Sequence, residues 1–136
     1  MNYSVIAFIV TLVLGTIFIV FFLGKKASEN DAPSDIDAIV IKQLKNAGSN
    51  TSKPHLIEFF LYFSSKENAN QCAQKLMAED FQVENTYNAE YKTWLCLAKK
   101  RMIPQLKTLQ ELRQKFDKMG VELEGDYDGW GSEVVN

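Results

Sequence analysis

Few side chains here are equipped for chemistry, and their spacing argues against most reactions. The chain has one histidine, His55, and two cysteines, Cys72 and Cys96. A metal centre draws three or four such ligands together, usually with two of them a few residues apart. His55 has no acidic or cysteine neighbour at that spacing, so neither a metal nor another cofactor is expected. Both cysteines sit in apolar patterns, which suits reduced thiols in a core. No glycine-rich phosphate loop follows a candidate strand, and no Gly-x-Ser-x-Gly elbow occurs. The pair Glu122 and Glu124 reads as the wet side of an edge strand. No catalytic residue is assigned, and the expected function is binding.

The most unusual stretch is the C-terminal Gly125-Asp-Tyr-Asp-Gly-Trp-Gly-Ser-Glu-Val-Val135, which combines carboxylates, two aromatics and three glycines. Two readings stand side by side. In one, Asp126, Asp128 and Glu133 face a basic partner around the aromatic anchors Tyr127 and Trp130, while Gly129 and Gly131 allow tight turns. In the other, Tyr127 and Trp130 tuck into the core and the glycines shape a final turn. Lys99-Lys100-Arg101 is a local basic patch, read as a solvated turn.

The elements that must position these residues follow an apolar run. From Tyr3 to Leu23 no side chain is charged. As a helix rising 1.5 Å per residue, that stretch is long enough to cross the hydrocarbon of a bilayer. A cleavable signal would begin with basic residues and end in small ones. Here Lys25 and Lys26 follow the run instead, which predicts an uncleaved anchor with its C-terminal side in the cytoplasm of the inner membrane. The chain then divides into an anchor over 1–26, a polar linker over 27–34 and a binding domain over 35–136. Lys25 and Lys26 account for two of the 15 basic residues, leaving 13 against 17 acidic ones. That balance is opposite to a nucleic-acid footprint.

Within the domain, Ser34 reads as the cap of a helix over 35–46, whose stripe is Ile36, Ile39, Val40 and Leu44. His55–Phe63 is apolar on both faces and short, as a central strand would be. Ser64 and Ser65 precede a helix carrying Ala69, Cys72, Ala73, Leu76 and Met77. Phe81–Tyr87 alternates like an edge strand. Tyr91–Ala98 is again apolar on both sides. Pro104 opens a helix with Leu106, Leu109, Leu112 and Phe116, closed by Gly120, and Val121–Glu124 alternates as a last strand. The fold expected is α+β, a ferredoxin-like split βαββαβ unit with an extra N-terminal helix, preceded by one transmembrane helix. One sheet face, with Phe60, Tyr62 and Trp94 or its neighbours, then needs a cover. The extra helix is the expected one, and a partner is the alternative.

Four blocks in order, Ser52-Lys-Pro-His55, Glu58-Phe-Phe-Leu-Tyr-Phe63, Lys100-Arg-Met-Ile-Pro104 and Tyr127-Asp-Gly-Trp-Gly-Ser-Glu-Val-Val135, resemble the ribonuclease E inhibitor family, regulator of ribonuclease activity B. The likeness spans roughly residues 35 to 135. It implies a bacterial, non-catalytic protein that binds the C-terminal scaffold region of ribonuclease E and restrains RNA cleavage. A basic, disordered scaffold segment fits the acidic balance here. The better-known form of the family is soluble, whereas this chain opens with a candidate membrane span. The alternatives are an RNA-binding module, although the aromatic pattern of an RNA-recognition sheet is missing, and the family fold reused for another membrane-associated interaction.

Overall fold

The computed structural model describes residues 6–13, 16–23 and 35–136. Two strands come first, β1 (Ile6–Val13) and β2 (Thr16–Leu23), followed by helix α1 (Ile36–Asn46) and strand β3 (His55–Phe63). Then come α2 (Lys66–Met77), β4 (Gln82–Asn88), β5 (Thr93–Met102), α3 (Leu106–Glu122) and β6 (Gly125–Glu133). The sheet order is β1-β2-β6-β3-β5-β4, with every adjacent pair antiparallel. From β3 onward, the chain order and the sheet order β6-β3-β5-β4 are those of a split βαββαβ unit.

Alternation across the sheet sorts the side chains. Ile57, Phe59, Leu61 and Phe63 of β3 are buried on the face that carries the helices. Register places Cys96 and Ala98 of β5 and Tyr127 and Trp130 of β6 on that same face. The rings of Phe59, Phe81 and Phe116 meet edge-on with centroids 5.1–6.0 Å apart, tying β3 and the start of β4 to α3. Such offset contacts add to the burial itself.

The first expectation to change is the membrane helix. Residues 6–13 and 16–23 form two antiparallel strands, and β2 continues onto β6 from Phe18↔Glu133 to Val20↔Gly131. No helix among the described residues is long and apolar enough to cross a membrane. The run is rich in Val, Ile, Phe and Thr, types whose branched or aromatic side chains fit a pleated sheet. Lys25, Lys26, the linker over 27–34 and the Ser34 cap lie outside the described residues. Asp35 caps α1, its carboxylate accepting from the Ala38 amide at 3.3 Å.

The second change is at the C-terminus. Helix α3 continues through Gly120 to Glu122, so Val121–Glu124 is not a strand, and the glycine-rich segment is itself β6. Gly120 is there for close approach. A Cβ on it would lie 3.0 Å from the Gly125 carbonyl oxygen. Glu124, at φ 54°, turns the chain. At Gly125 a Cβ would meet the Phe63 ring at 2.3 Å and the Tyr62 carbonyl oxygen at 2.4 Å, so the strand starts on a residue without a side chain. Nor does β6 alternate as a half-wet edge; four successive residues, Gly129 to Ser132, are buried.

The third change concerns α1. It packs on the helix side of the sheet against α3 and β6 and does not cover the opposite face. Its buried stripe is Asp37, Val40 and Leu44. An acid occupies the stripe because Arg113 of α3 and Trp130 of β6 both donate to it. Trp94 also belongs to the helix side, its ring tilted against that of Tyr87 with centroids 5.1 Å apart. The fourth change is Lys99–Arg101, which extends β5 and is no turn.

Candidate partner-binding surface

Strand β6 holds all six residues singled out from the C-terminal segment, and its backbone separates them by chemistry. Phe59 pairs with Trp130 and Leu61 with Tyr127, which sends both aromatics under the helices. Trp130 is 1% exposed, and its indole N–H donates to Asp37 Oδ1 at 3.0 Å. Arg113 closes the same carboxylate with two further bonds, Nε to Oδ2 at 2.9 Å and Nη2 to Oδ1 at 2.8 Å. Burial works against the Arg113 charge, but hydrogen bonding and attraction from Asp37 outweigh it and hold the guanidinium's pKa above its ordinary value. The Arg113 guanidinium also lies 5.4 Å from the centre of the Tyr127 ring.

The opposite face, which none of the three helices covers, receives the rest. Asp126 pairs with Tyr62, Gly129 with Phe60 and Gly131 with Glu58. Between Gly129 and Tyr127 the register shifts, so Asp128 is an extra residue in a bulge. Gly129 takes φ 113°, a left-handed value suited to glycine. Among the residues β6 turns to this face, the only side chains are carboxylates. Asp126 is exposed, and Asp128 and Glu133 are half-buried. The phenol of Tyr62, paired with Asp126 in the sheet, has its pKa raised, first by burial and then by the charge of Asp128.

The acids do not form one cluster. Asp126 and Asp128 flank Tyr62 at one end, whereas Glu133 lies about 20 Å along the strand. There Glu133 accepts from the Leu56 amide at 3.1 Å and pairs with Arg101 at 3.4 Å. Lys99 pairs with Glu58 at 3.3 Å on the same face. The cationic side chains of β5 that point this way are thus matched by carboxylates. Leu95 and Leu97, both half-buried, lie on this face beside the half-buried Tyr62 and the buried Phe60.

The residues first weighed for metal chemistry are placed apart. His55 is fully buried between Ser49 Oγ, 2.6 Å from Nε2, and the Lys53 carbonyl, 2.7 Å from Nδ1. Ser49 Oγ also accepts from the Val135 amide at 2.9 Å, so this histidine clasps the chain end to the loop before β3. Cys72 and Cys96 meet in the core. Cys72 Sγ lies 3.3 Å from Met119 Sδ, and its contact with Cys96, together with burial, pushes the Cys72 thiol's pKa up. Among the described residues, no three His, Cys, Asp or Glu side chains are grouped as a metal site would require.

The Asp37–Arg113–Trp130 cluster escaped the sequence reading, although an aspartate three residues from Val40 on an apolar helix stripe was its visible sign. No curated protein matches the chain. Residues 34–132, which take in α1 and all of β6 but its last residue, match the family model for regulator of ribonuclease activity B. A match of that extent shows the family, and the chain belongs to the regulators of ribonuclease activity B.

Proposed function

We propose that this chain is a non-catalytic regulator that restrains RNA decay by binding the basic scaffold region of ribonuclease E. Regulators of ribonuclease activity imply a protein partner, a ribonuclease. The observation that carries the finer reading is the sorting along β6. Tyr127 and Trp130 fix the strand from beneath, and Asp126 and Asp128 stand on the other side around Tyr62. A disordered cationic segment would meet aromatic surface and carboxylates together, attracted most strongly at low salt. In this reading Tyr127 and Trp130 act as positioning residues, while Asp126, Asp128, Gly129 and Glu133 present the surface.

The same proposal keeps the run Tyr3–Leu23 as a membrane anchor. Among the described residues strand β1 has only β2 as a neighbour, which leaves one edge of its backbone without a strand. That is unworkable in hydrocarbon, where a helix satisfies every backbone group within the segment. Anchoring would therefore require these residues to leave their strand pairing and take the helical form, with Lys25 and Lys26 on the cytoplasmic side of the inner membrane. Protease added outside intact spheroplasts should spare the domain, and digestion would refute this orientation.

The functional test is an RNA cleavage assay with the full chain in detergent micelles. Cleavage by ribonuclease E should slow in proportion to added chain, and an enzyme lacking its scaffold region should be unaffected. Equal rates with and without the chain would overturn the proposal. An RNA-binding module would instead bind single-stranded RNA directly, with affinity falling steeply as salt rises.

A further inference from the structure

Among the described residues strand β4 ends the sheet on the side away from β6, pairing only with β5, from Gln82↔Lys99 to Asn88↔Thr93 without a register shift. Edge strands are ordinarily protected by lysine, proline, a bulge or a covering segment, because an open row of backbone groups recruits other strands. Gln82-Val-Glu-Asn-Thr-Tyr-Asn88 has no lysine, no proline and no bulge, and its one charge is Glu84. Large apolar side chains lie exposed beside it, Tyr87 at 48% and Met77 at 51%. At its midpoint the Asn85 amide nitrogen donates to Asn70 of α2 at 3.1 Å. The Asn85 carbonyl oxygen is shielded from solvent yet has no hydrogen-bond partner among the described residues.

We propose that two copies of this chain pair β4 to β4 about a two-fold axis through Asn85, joining their sheets into one. An isologous contact of this kind must be self-complementary, and this strand is. Antiparallel pairing centred on Asn85 sets Val83 opposite the partner's Tyr87 twice, an apolar pair on the helix side. Glu84 meets the partner's Thr86, and Gln82 meets the partner's Asn88, so no like charges face each other. At the axis the two Asn85 backbones face each other, and each Asn85 side chain stays held by Asn70 of its own copy. Centring on Glu84 would oppose two carboxylates, and centring on Thr86 would move Val83 past the end of the partner strand. The flank of α2 follows the same symmetry. Asn70, Gln74 and Met77 share one helix side at i, i+4 and i+7, and Met77, at the Val83 end, comes beside the partner's Tyr87. Contact between the thioether and the ring suits both groups.

Cross-linking and mass measurement on the full chain in detergent micelles test this. Asn85→Cys should give a disulfide-linked dimer under mild oxidation, since this position faces itself across the axis. Native Cys72 and Cys96 are fully buried, so the unaltered chain and Gln114→Cys on the exposed side of α3 should stay monomeric on the same gel. By analytical ultracentrifugation, Thr86→Glu should weaken dimerisation about fivefold or more, and Thr86→Lys, opposite the partner's Glu84, should strengthen it. Both changes are at an exposed strand position, so folding is tolerated equally. A monomer at every concentration, or a dimer yield from Asn85→Cys no greater than that of the α3 control, overturns the proposal. Equal effects of the two Thr86 variants overturn this register.

Discussion

The indole nitrogen of Trp130 donates to Asp37 Oδ1 at 3.0 Å across 93 residues of chain, joining the last strand to the first helix of the domain. Arg113 holds the same carboxylate from α3, so one buried acid gathers three elements on the helix side of the sheet. Removing that acid strands a guanidinium and an indole N–H. Asp37→Ala should therefore cost about 3 kcal/mol in chemical denaturation. Arg113→Met placed on top should recover part of the loss, because the uncompensated charge is gone. Additive losses would show that the pair does not act as a unit.

Tyr127 links this cluster to alkaline stability. Its hydroxyl is buried without a hydrogen-bond partner among the described residues. Burial raises its pKa; the Arg113 charge opposes the shift, and Asp37 and Asp117 reinforce it. The unfolded chain releases this proton near the ordinary value of 10.0, whereas the folded chain keeps it. Above that pH the unfolded state binds fewer protons, so the contribution is complete below pH 10 and is lost as pH climbs toward the folded value. Tyr127→Phe should lessen the loss of stability above pH 10, while at neutral pH it should be neutral or stabilising by about 1 kcal/mol. Thermal melts at pH 7 and pH 10.5 check both signs.

Gly125 and Gly120 should respond unequally to alanine. At Gly125 the new methyl meets the Phe63 ring and the Tyr62 carbonyl at 2.3 and 2.4 Å, and the backbone cannot yield. A loss of about 2 kcal/mol or more is expected. At Gly120 the nearest atom is 3.0 Å away, and alanine's helix propensity returns up to about 1 kcal/mol. Denaturation midpoints should rank Gly125→Ala well below Gly120→Ala.

Ser49 tests the clasp at the chain end. Ser49→Ala removes the acceptor of the Val135 amide and a hydrogen-bond partner of His55. Stability should fall by about 1 kcal/mol. Hydrogen exchange at the Val135 amide should quicken while the amides of β3 keep their protection.

These particulars show which parts of the molecule were legible beforehand. Strands β3 and β5 were readable because both faces of each are apolar, and α2 because Ala69, Cys72, Ala73 and Leu76 keep helical spacing. The β6 segment was not, since glycine there serves close packing against Phe63 and the Gly129 bend, and glycine-rich sequence ordinarily signals a turn. Gly120 misled in the same way. A helix cap and a tight helix–strand approach call for the same residue, and only the neighbour at 3.0 Å tells them apart. The placement of α1 depended on Asp37 finding Arg113 and Trp130, a long-range match that periodicity does not encode. The six C-terminal candidates were found together on one strand, with their aromatics inside and their carboxylates divided between its two ends.

In the proposed function, Asp126 and Asp128 present charge on the Tyr62 side of β6 to a basic ribonuclease segment. Calorimetric titration of the full chain in detergent with the ribonuclease E scaffold region at low salt measures this directly. Binding should appear, should weaken as salt rises, and should fall about tenfold in Asp126→Asn/Asp128→Asn. A correctly folded chain that gives no binding at low salt, or a double variant that binds as tightly as the original, would contradict it.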